Sequence, residues 1–265
     1  MKIEIIHEPT SEKPFLVIYK PKGLASAPLS AEDKDNALSQ ALELFPDLYN
    51  VQGKKLIEYG LLHRLDTATD GLMVIASTQE AYDFLCNEQR EGRFIKTYTA
   101  HCDVIKDNAK LLAAFPPLPL QAQNDLLLRG VKAMKQTTSL SSYFRPYGEG
   151  RKEVRPVTEK SGKAALSKLG SKKLYTTKIE ITKFSETQAD VTCEIKEGYR
   201  HQVRCHLAWA GIPVKGDLLY NSSCKSSEKE ADKKNAENLL FSATKISFEY
   251  PRGDLNSYDR KDTWT

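Results

Sequence analysis

The chain has 265 residues, a formal net charge of +4 and 28% charged side chains, all ordinary values for a globular protein. This length is enough for one large domain or two small ones, with a substantial core. No run of eighteen apolar residues occurs, and the N-terminus has no apolar signal-peptide region, so neither a membrane span nor secretion is expected.

The cysteines indicate a redox compartment. Five cysteines are scattered along the chain, and no Cys-x-x-Cys pair occurs among them. An odd and scattered set favours free thiols in a reducing cytoplasm over a disulfide framework or a zinc site.

The positive charge is concentrated in one stretch of the sequence. Residues 145–178 contain ten Lys or Arg against three Glu, so the rest of the chain is net negative. A clustered basic segment on a near-neutral body is typical of a protein that binds a polyanion. A solvated, flexible loop is the alternative interpretation.

The first predicted elements are a strand, a turn and a helix. Residues 15–19 are β-branched and aromatic, which favours a strand. The following Lys-Pro-Lys-Gly at 20–23 predicts a turn led by proline. Apolar residues at three- and four-residue spacing predict a helix within 33–45.

A polar loop between two apolar stretches holds the most informative charges. Residues 72–75 form a continuous apolar run that predicts a buried strand, and 59–62 could supply a second one. The short loop between them carries Arg64, Asp66 and Asp70. Ionisable groups held between buried strands are costly unless they are paired, and reactive side chains often lie on such loops.

The rest of the chain contains predicted helices and strands and two segments in which no regular structure is predicted. A helix is predicted over 79–90, with Thr78 as its N-cap and Gly92 at its end. Strands are predicted over 94–104, 174–181, 189–196 and 244–250, and a short helix within 198–211. Residues 145–173 are predicted to be a flexible basic loop, and 221–238 a disordered polar excursion.

Segment 63–76 resembles the catalytic motif of the RluA-type pseudouridine synthases, which is His-Arg-Leu-Asp-x-x-Thr-Ser-Gly-Leu followed by apolar residues and Ala. Asp70 stands where the family usually has Ser. The matching residues are His63, Arg64, Leu65, Asp66, Thr69, Gly71, Leu72 and Ala76.

Segment 198–220 resembles a second family pattern, Gly-Arg-Thr-His-Gln-Ile-Arg-x-His-Leu and then Gly-x-Pro-Ile-x-Gly-Asp-x-x-Tyr. Tyr199 and Arg200 depart from it. The matching residues are His201, Gln202, Arg204, His206, Leu207, Gly211, Pro213, Gly216, Asp217 and Tyr220. Three weaker matches are the Lys-Pro-x-Gly at 20–23, the Lys-x-Tyr at 96–98 and the segment before 244, in which Ser242 stands where His is usual.

The resemblance implies roles for particular residues. Asp66 would be the catalytic carboxylate, with Arg204 as the ion partner that keeps it charged against desolvation. Tyr98 would pack on the target base and accept a proton, the alternative being simple packing on a sheet face. Arg64 would fill the place of the extruded base, the alternative being a salt bridge to Asp70. The other predicted substrate- or RNA-binding residues are His63, Leu65, Thr69, His201, Gln202 and Lys20.

The histidines do not predict a metal site. No His-Glu-x-x-His occurs, and Asp66 has no partner at ligand spacing. His63, His201 and His206 are therefore expected to form hydrogen bonds, and no metal or cofactor is predicted.

Together these observations predict an α+β fold with a mixed, largely antiparallel central sheet flanked by helices. One catalytic domain is expected over 1–265, with the family-like core at about 14–250. The predicted function is an RNA pseudouridine synthase, an isomerase acting on a uridine in rRNA or tRNA in the cytoplasm, as a monomer without an obligate protein partner.

Two alternatives remain at this point. The departures at Asp70, Tyr199, Arg200 and Ser242 allow an RNA-binding protein on a catalytically degenerate synthase scaffold. A hydrolase that uses Asp66 with water is the other, and it would release free uracil.

Overall fold

The computed structural model describes residues 1–105, 115–119, 136–221 and 238–260. The ten strands and four α-helices of these ranges are β1 Glu4–His7, β2 Phe15–Lys20, α1 Ala37–Leu44, β3 Asp70–Ala76, α2 Gln79–Arg90, β4 Ile95–Asp103, β5 Gln136–Tyr147, β6 Glu153–Val157, α3 Lys163–Leu166, β7 Tyr175–Phe184, β8 Gln188–Ile195, α4 Gln202–Trp209, β9 Phe241–Glu249 and β10 Leu255–Asp259.

The chain divides into two compact units. Unit 1 comprises Met1–Thr97 and Ser242–Thr265, and unit 2 comprises Tyr98–Phe241. The prediction of one catalytic domain over the whole chain stays a prediction. Among the described helices, none is both long and apolar enough to cross a membrane.

Unit 1 is built around strand β3. Its seven residues are all buried, as expected for a strand covered on both faces. β3 pairs antiparallel with β2 and parallel with β9. β1 pairs antiparallel with β2, and β10 pairs antiparallel with β9. Gly71 permits the close approach of β3 to β9, because its φ is +136° and a Cβ there would overlap the carbonyl oxygen of Ala243.

Helix α2 and aromatic side chains close the core of unit 1. The Thr78 hydroxyl accepts a hydrogen bond from the backbone N–H of Ala81 at 3.2 Å, which caps α2 as predicted. The core side chains are almost fully buried, and burying each large one contributes about 1.5–3 kcal/mol. They include Phe15, Val17, Leu72, Val74, Leu85, Phe94 and Phe248.

Unit 2 contains strands in the order β4-β8-β7-β5-β6, with β4 belonging to it from Tyr98 onward. The pairs β5–β6, β5–β7 and β7–β8 are antiparallel. Helix α4 packs its buried residues Cys205 and Ala208 with Phe144 of β5 and Val154 of β6. The predicted mixed and largely antiparallel sheet is thereby confirmed, with fewer helices than strands.

Several predicted elements differ from the structure. The segment 59–62 is not a strand, because Tyr59 adopts a left-handed φ of 43° and only Leu61 forms a bridge, to Ile75. The predicted helix within 33–45 begins only at Ala37. Its N-cap is Asn36, whose Oδ1 accepts a hydrogen bond from Ser39 N–H at 2.9 Å.

The basic segment 145–173 is more ordered than the predicted flexible loop. It contains the end of β5, strand β6 and helix α3. Inward-facing Val154 and Val157 are fully buried, which supplies the packing that stabilises β6. Pro156 fits because β6 is the last strand of the order, where proline is tolerated. The excursion predicted at 221–238 falls almost wholly outside the described residues.

Candidate active site

The predicted site residues are divided between the two units. Six lie in unit 1, namely Lys20, His63, Arg64, Leu65, Asp66 and Thr69, and four lie in unit 2, namely Tyr98, His201, Gln202 and Arg204.

The loop that carries Asp66 is fixed on both sides of the carboxylate. Ser26 Oγ accepts a hydrogen bond from Leu65 N–H at 2.9 Å and lies 2.7 Å from the Leu65 carbonyl oxygen. Thr69 N–H donates to the carbonyl of Asp66 at 2.9 Å, which closes a tight turn. These hydrogen bonds anchor the backbone of Asp66 and its neighbour. The Asp66 side chain is half-buried, so part of it is exposed. Ser26 was not predicted, because a serine in a loop carries no distinguishing pattern.

Lys20 links the Asp66 loop to the turn that follows β2. Its side chain is fully buried, and Nζ donates to the carbonyls of Pro21 at 3.0 Å, Leu24 at 2.8 Å and Thr67 at 3.3 Å. Burial lowers the pKa of Lys20 to about 8, although the charges of Asp70 and Asp66 oppose that shift. In this structure the ammonium group therefore supports the loop beside Asp66, and its predicted contact with RNA stays a prediction.

Asp70, which begins β3, is a buried carboxylate of unit 1. Its Oδ2 accepts a hydrogen bond from the Tyr19 hydroxyl at 2.5 Å, and its Oδ1 lies 3.8 Å from Lys22 Nζ. The hydrogen bond and burial together raise the pKa of Tyr19 well above its usual value, with burial the larger cause. Tyr19 therefore stays protonated and donates to Asp70.

Arg64 and His63 occupy different environments. Arg64 is exposed and lies 3.4 Å from Glu58 Oε1, so the structure pairs it with Glu58 and not with Asp70. Burial of its ring, helped by the charge of Lys96, holds the pKa of His63 well below its usual value. Neutral His63 accepts a hydrogen bond from Val74 N–H at Nε2, at 3.3 Å, which ties the loop to β3. Leu65 and Thr69 are buried.

In unit 2, Arg204 forms a bidentate ion pair with Asp217. Nε lies 2.7 Å from Oδ2 and Nη2 lies 2.8 Å from Oδ1, and both side chains are buried. Asp217 also accepts hydrogen bonds from the backbone N–H groups of Leu219 and Tyr220. Asp217 matched the second motif, but nothing in the sequence assigned it this role. The predicted pairing of Arg204 with Asp66 stays a prediction.

The other predicted residues of unit 2 are held by neighbouring side chains. Tyr98 stacks on Phe241 with ring centroids 5.1 Å apart and planes 8° apart. His201 has a left-handed φ of 55° at the start of α4, and its Nδ1 lies 3.1 Å from the Tyr220 hydroxyl. Gln202 is buried, accepting from Tyr199 N–H and donating to Thr176 O at 3.0 Å.

The described residues contain no group of three or more His, Cys, Asp or Glu side chains arranged to hold a metal ion. His206 is an example of the structural role predicted for the histidines. Its two ring nitrogens lie 2.9 Å from Ser142 Oγ and 2.8 Å from Thr177 Oγ1, inside unit 2.

Among solved structures, two human proteins share this fold. The human RNA pseudouridylate synthase domain containing 1 covers all of this chain, with a TM-score of 0.61 at 17% identity over 85% of its own length. The human RNA pseudouridylate synthase domain containing 4 covers 98%, with a TM-score of 0.59 at 18% identity over 88% of its length. At these identities the likeness concerns the fold.

The chain belongs to the RNA pseudouridylate synthase family, whose model matches residues 14–209. This confirms the family predicted from the two motifs, and the predicted class, isomerase, is the class of that family.

Curated relatives agree with this assignment. The ribosomal large subunit pseudouridine synthase D of Neisseria meningitidis serogroup B is 24% identical over 263 residues, 98% of this chain and 58% of the relative. The Pseudomonas aeruginosa protein of the same name is 26% identical over 221 residues, 83% of this chain and 54% of the relative. The chain thus spans little more than half the length of these relatives.

Proposed function

We propose that this protein is an RNA pseudouridine synthase that isomerises a uridine in rRNA or tRNA, with Asp66 as the essential carboxylate. The proposal includes action in the cytoplasm, as a monomer. The observation that carries it is the anchored Asp66 loop in a chain of this family: Ser26, Lys20 and the turn to Thr69 hold the backbone on both sides of a half-buried carboxylate.

The reaction leaves the atom count unchanged. The bond between uracil N1 and ribose C1′ breaks, and a bond between C5 and C1′ forms. The proton on C5 is released, and N1 takes up a proton. The chemistry therefore needs one carboxylate that is ionised and precisely held, as nucleophile or as base, and a site for a base removed from its stack.

One cation near Asp66 favours its ionised form. A half-buried carboxylate tends to take up a proton because of desolvation, and a nearby cation opposes that tendency. The buried ammonium of Lys20 interacts favourably with the charge of Asp66 within unit 1. The roles proposed for Arg204 as its ion partner and for Tyr98 as a proton acceptor concern unit 2 and rest on the family motifs.

The remaining proposed contacts concern RNA. Arg64 is exposed beside Asp66, where a planar guanidinium can stack on bases and offset part of the few kcal/mol that base flipping costs. The curated relatives are named as ribosomal large subunit synthases, which makes ribosomal RNA the first substrate to test. The family motifs also support a role in RNA binding for His63, Leu65 and Thr69 in unit 1, and for His201 and Gln202 in unit 2.

The test measures tritium release from RNA that carries 5-tritiated uridine, with ribosomal and transfer RNA assayed separately. Wild-type protein should release tritium from one of them, and Asp66→Asn and Asp66→Ala should abolish release while RNA binding persists. Release by both variants at the wild-type rate would contradict the role of Asp66.

The same assay separates the alternatives. An RNA-binding protein on a degenerate scaffold predicts binding without release from any cellular RNA. A hydrolase predicts free uracil, which chromatography of the products detects. Mapping of pseudouridines in a strain that lacks the gene then identifies the uridine.

A further inference from the structure

Two arginines face each other on neighbouring strands of unit 2. Arg145 of β5 and Arg155 of β6 are directly opposite in the antiparallel register. Like charges at opposite positions of a sheet destabilise the strand pairing, because their Cβ atoms lie only about 5 Å apart. A pair of cations at this place therefore needs a compensating interaction, either within the protein or with an anion that binds there.

Aromatic rings supply part of that compensation. The guanidinium carbons of Arg145 and Arg155 each lie 4.8 Å from the centroid of the Tyr147 ring. The guanidinium carbon of Arg155 also lies 4.5 Å from the centroid of the Phe115 ring. Stacking on a ring holds a guanidinium group in a fixed orientation, and the N–H groups in its plane can still donate to an anion.

The carboxylates of the described ranges neutralise the two arginines only in part. Arg155 Nη2 lies 2.8 Å from Glu153 Oε2. Neither Arg155 Nε nor Glu153 Oε2 has a hydrogen-bond partner among the described residues, so this contact is an ion pair without hydrogen-bond alignment. Within the same ranges, Arg145 has neither a carboxylate partner nor a side-chain hydrogen bond. The two arginines therefore keep a net positive charge.

Further cations surround the hairpin that β5 and β6 form. Arg151 and Lys152 are exposed between the two strands. The exposed Arg200 donates through Nη2 to the backbone carbonyls of Arg151 and Glu153. Counting Arg200, the hairpin from 145 to 155 carries five cationic side chains against two carboxylates. A local surplus of this kind attracts a polyanion.

We propose that Arg145 and Arg155, stacked on Tyr147, form a binding site for a phosphodiester group of the RNA substrate. Two phosphate oxygens accept the paired hydrogen bonds of a guanidinium fork, and two facing guanidinium groups can share one phosphate. Binding of the anion removes the repulsion between the two arginines. This inference rests on the proposed function, since it assigns part of the RNA contact to β5 and β6.

The site adjoins a residue of unit 2 that is proposed to act in the reaction. The guanidinium carbons of Arg155 and Arg204 lie 5.9 Å and 5.5 Å from the centroid of one ring, that of Tyr220. The Tyr220 hydroxyl accepts a hydrogen bond from Val154 N–H at 2.9 Å, which links this ring to β6. A phosphate held by Arg155 is therefore close to Arg204, where it helps to position the RNA strand.

The test measures the binding of a fluorescently labelled oligouridylate by anisotropy at several salt concentrations. Arg145→Gln and Arg155→Gln should each weaken binding about tenfold, the lower end of the range for a charge-assisted hydrogen bond. The double variant should reduce the slope of log K against log salt concentration by about 0.7, the value for one phosphate of a single strand. Arg252→Gln, which removes an exposed arginine of unit 1, is the matched control and should change neither quantity.

A variant of the ring separates stacking from charge. Tyr147→Leu leaves every cation in place, so it should weaken binding several-fold without changing the salt slope. Equal affinities of Arg145→Gln and wild type, or wild type that does not bind the oligouridylate, would overturn the site. The Arg155 side chain is only 13% exposed, whereas Arg145 is half-buried, so Arg145→Gln serves if Arg155→Gln does not fold.

Inorganic phosphate distinguishes the two sources of the anion. Thermal unfolding is compared in phosphate and in chloride of equal ionic strength. Stabilisation by phosphate that Arg145→Gln loses, with oligouridylate binding unchanged, would assign the site to the free ion and overturn the RNA contact. Weakened oligouridylate binding in the arginine variants, with no tritium release from wild type on any RNA, would instead refute the proposed isomerase activity alone.

Discussion

The guanidinium of Arg204 and the carboxylate of Asp217 form a two-point ion pair inside unit 2, with side chains only 3% and 0% exposed. The planar fork of arginine matches both carboxylate oxygens, which a lysine could not do. Asp217 in turn fixes the backbone of 217–220 through Leu219 and Tyr220 N–H. Any catalytic role of Arg204 is thus combined with a structural one.

Arg204→Ala should therefore reduce the free energy of unfolding by about 3–5 kcal/mol, because it leaves a buried carboxylate uncompensated. Urea unfolding measures the change. Lys178→Ala is the control, since it breaks an exposed pair with Glu194 at 3.0 Å and should cost about 0–1 kcal/mol. Equal losses in the two variants would show that the Arg204 pair contributes nothing beyond a surface pair.

Two substitutions of Tyr98 separate its packing on Phe241 from its proposed chemical role. Tyr98→Phe keeps the stack on Phe241 and should cost about 0.5–1.5 kcal/mol of stability at most, whereas Tyr98→Ala should cost about 3–5 kcal/mol. If the hydroxyl accepts a proton, Tyr98→Phe should also lose tritium release. A Tyr98→Phe variant with full activity would leave Tyr98 a packing residue.

Gly71 should tolerate no side chain. Gly71→Ala introduces a Cβ at φ +136° against the backbone of Ala243, so strain and overpacking together should cost about 2–5 kcal/mol. Gly253→Ala is the matched control, because φ is +97° there but nothing lies within 4 Å of the added Cβ. Thermal unfolding of the two variants tests this, and an equal loss of stability would exclude the close approach of β3 to β9 as the cause.

His206 should make the stability depend on pH. Burial lowers its pKa from 6.5 to about 3, so the unfolded chain takes up a proton near pH 6.5 that the folded protein refuses until about pH 3. The stability that neutral His206 contributes is complete above pH 6.5. It is lost as the pH falls below that value, by about 1.4 kcal/mol per pH unit.

The measurement for His206 is urea unfolding at pH 6.5 and 5.0. Between these values His206→Gln should lose about 2 kcal/mol less stability than wild type, because the variant has no proton to take up at this site. The comparison uses the change with pH and not the absolute stability, since removing two buried hydrogen bonds destabilises the variant at every pH. Identical pH dependence in the two proteins would refute the lowered pKa.

The basic segment should make RNA binding sensitive to salt. Lys163, Lys168 and Lys172 are exposed and pair with no carboxylate within the described ranges. If each contacts one phosphate, changing all three to Gln should reduce the slope of log K against log salt concentration by about 2–3. The matched control changes Lys2, Lys34 and Lys54, exposed lysines of unit 1, and should leave the slope nearly unchanged. Equal effects of the two triple variants would assign the binding to net charge instead of this segment.

Much of the local structure followed from the sequence. Strand β3 was predicted from its continuous apolar run, and helix α2 from Thr78 as its N-cap and Gly92 at its end. The two motifs also identified the family. Strands β1, β5, β6 and β10 were not predicted. Short strands with polar residues, such as those of 255–259, are stabilised by pairing with a neighbour and not by a pattern of their own.

For this protein, the sequence by itself determined the family, the order of the main elements and the loop that bears Asp66. Only the tertiary structure decided that Arg204 binds Asp217, that Lys20 is buried under the loop, and that Arg145 lies opposite Arg155. The reason is that local periodicity depends on residues a few positions apart, whereas the partner of a buried charge is chosen among all groups that folding brings within about 4 Å.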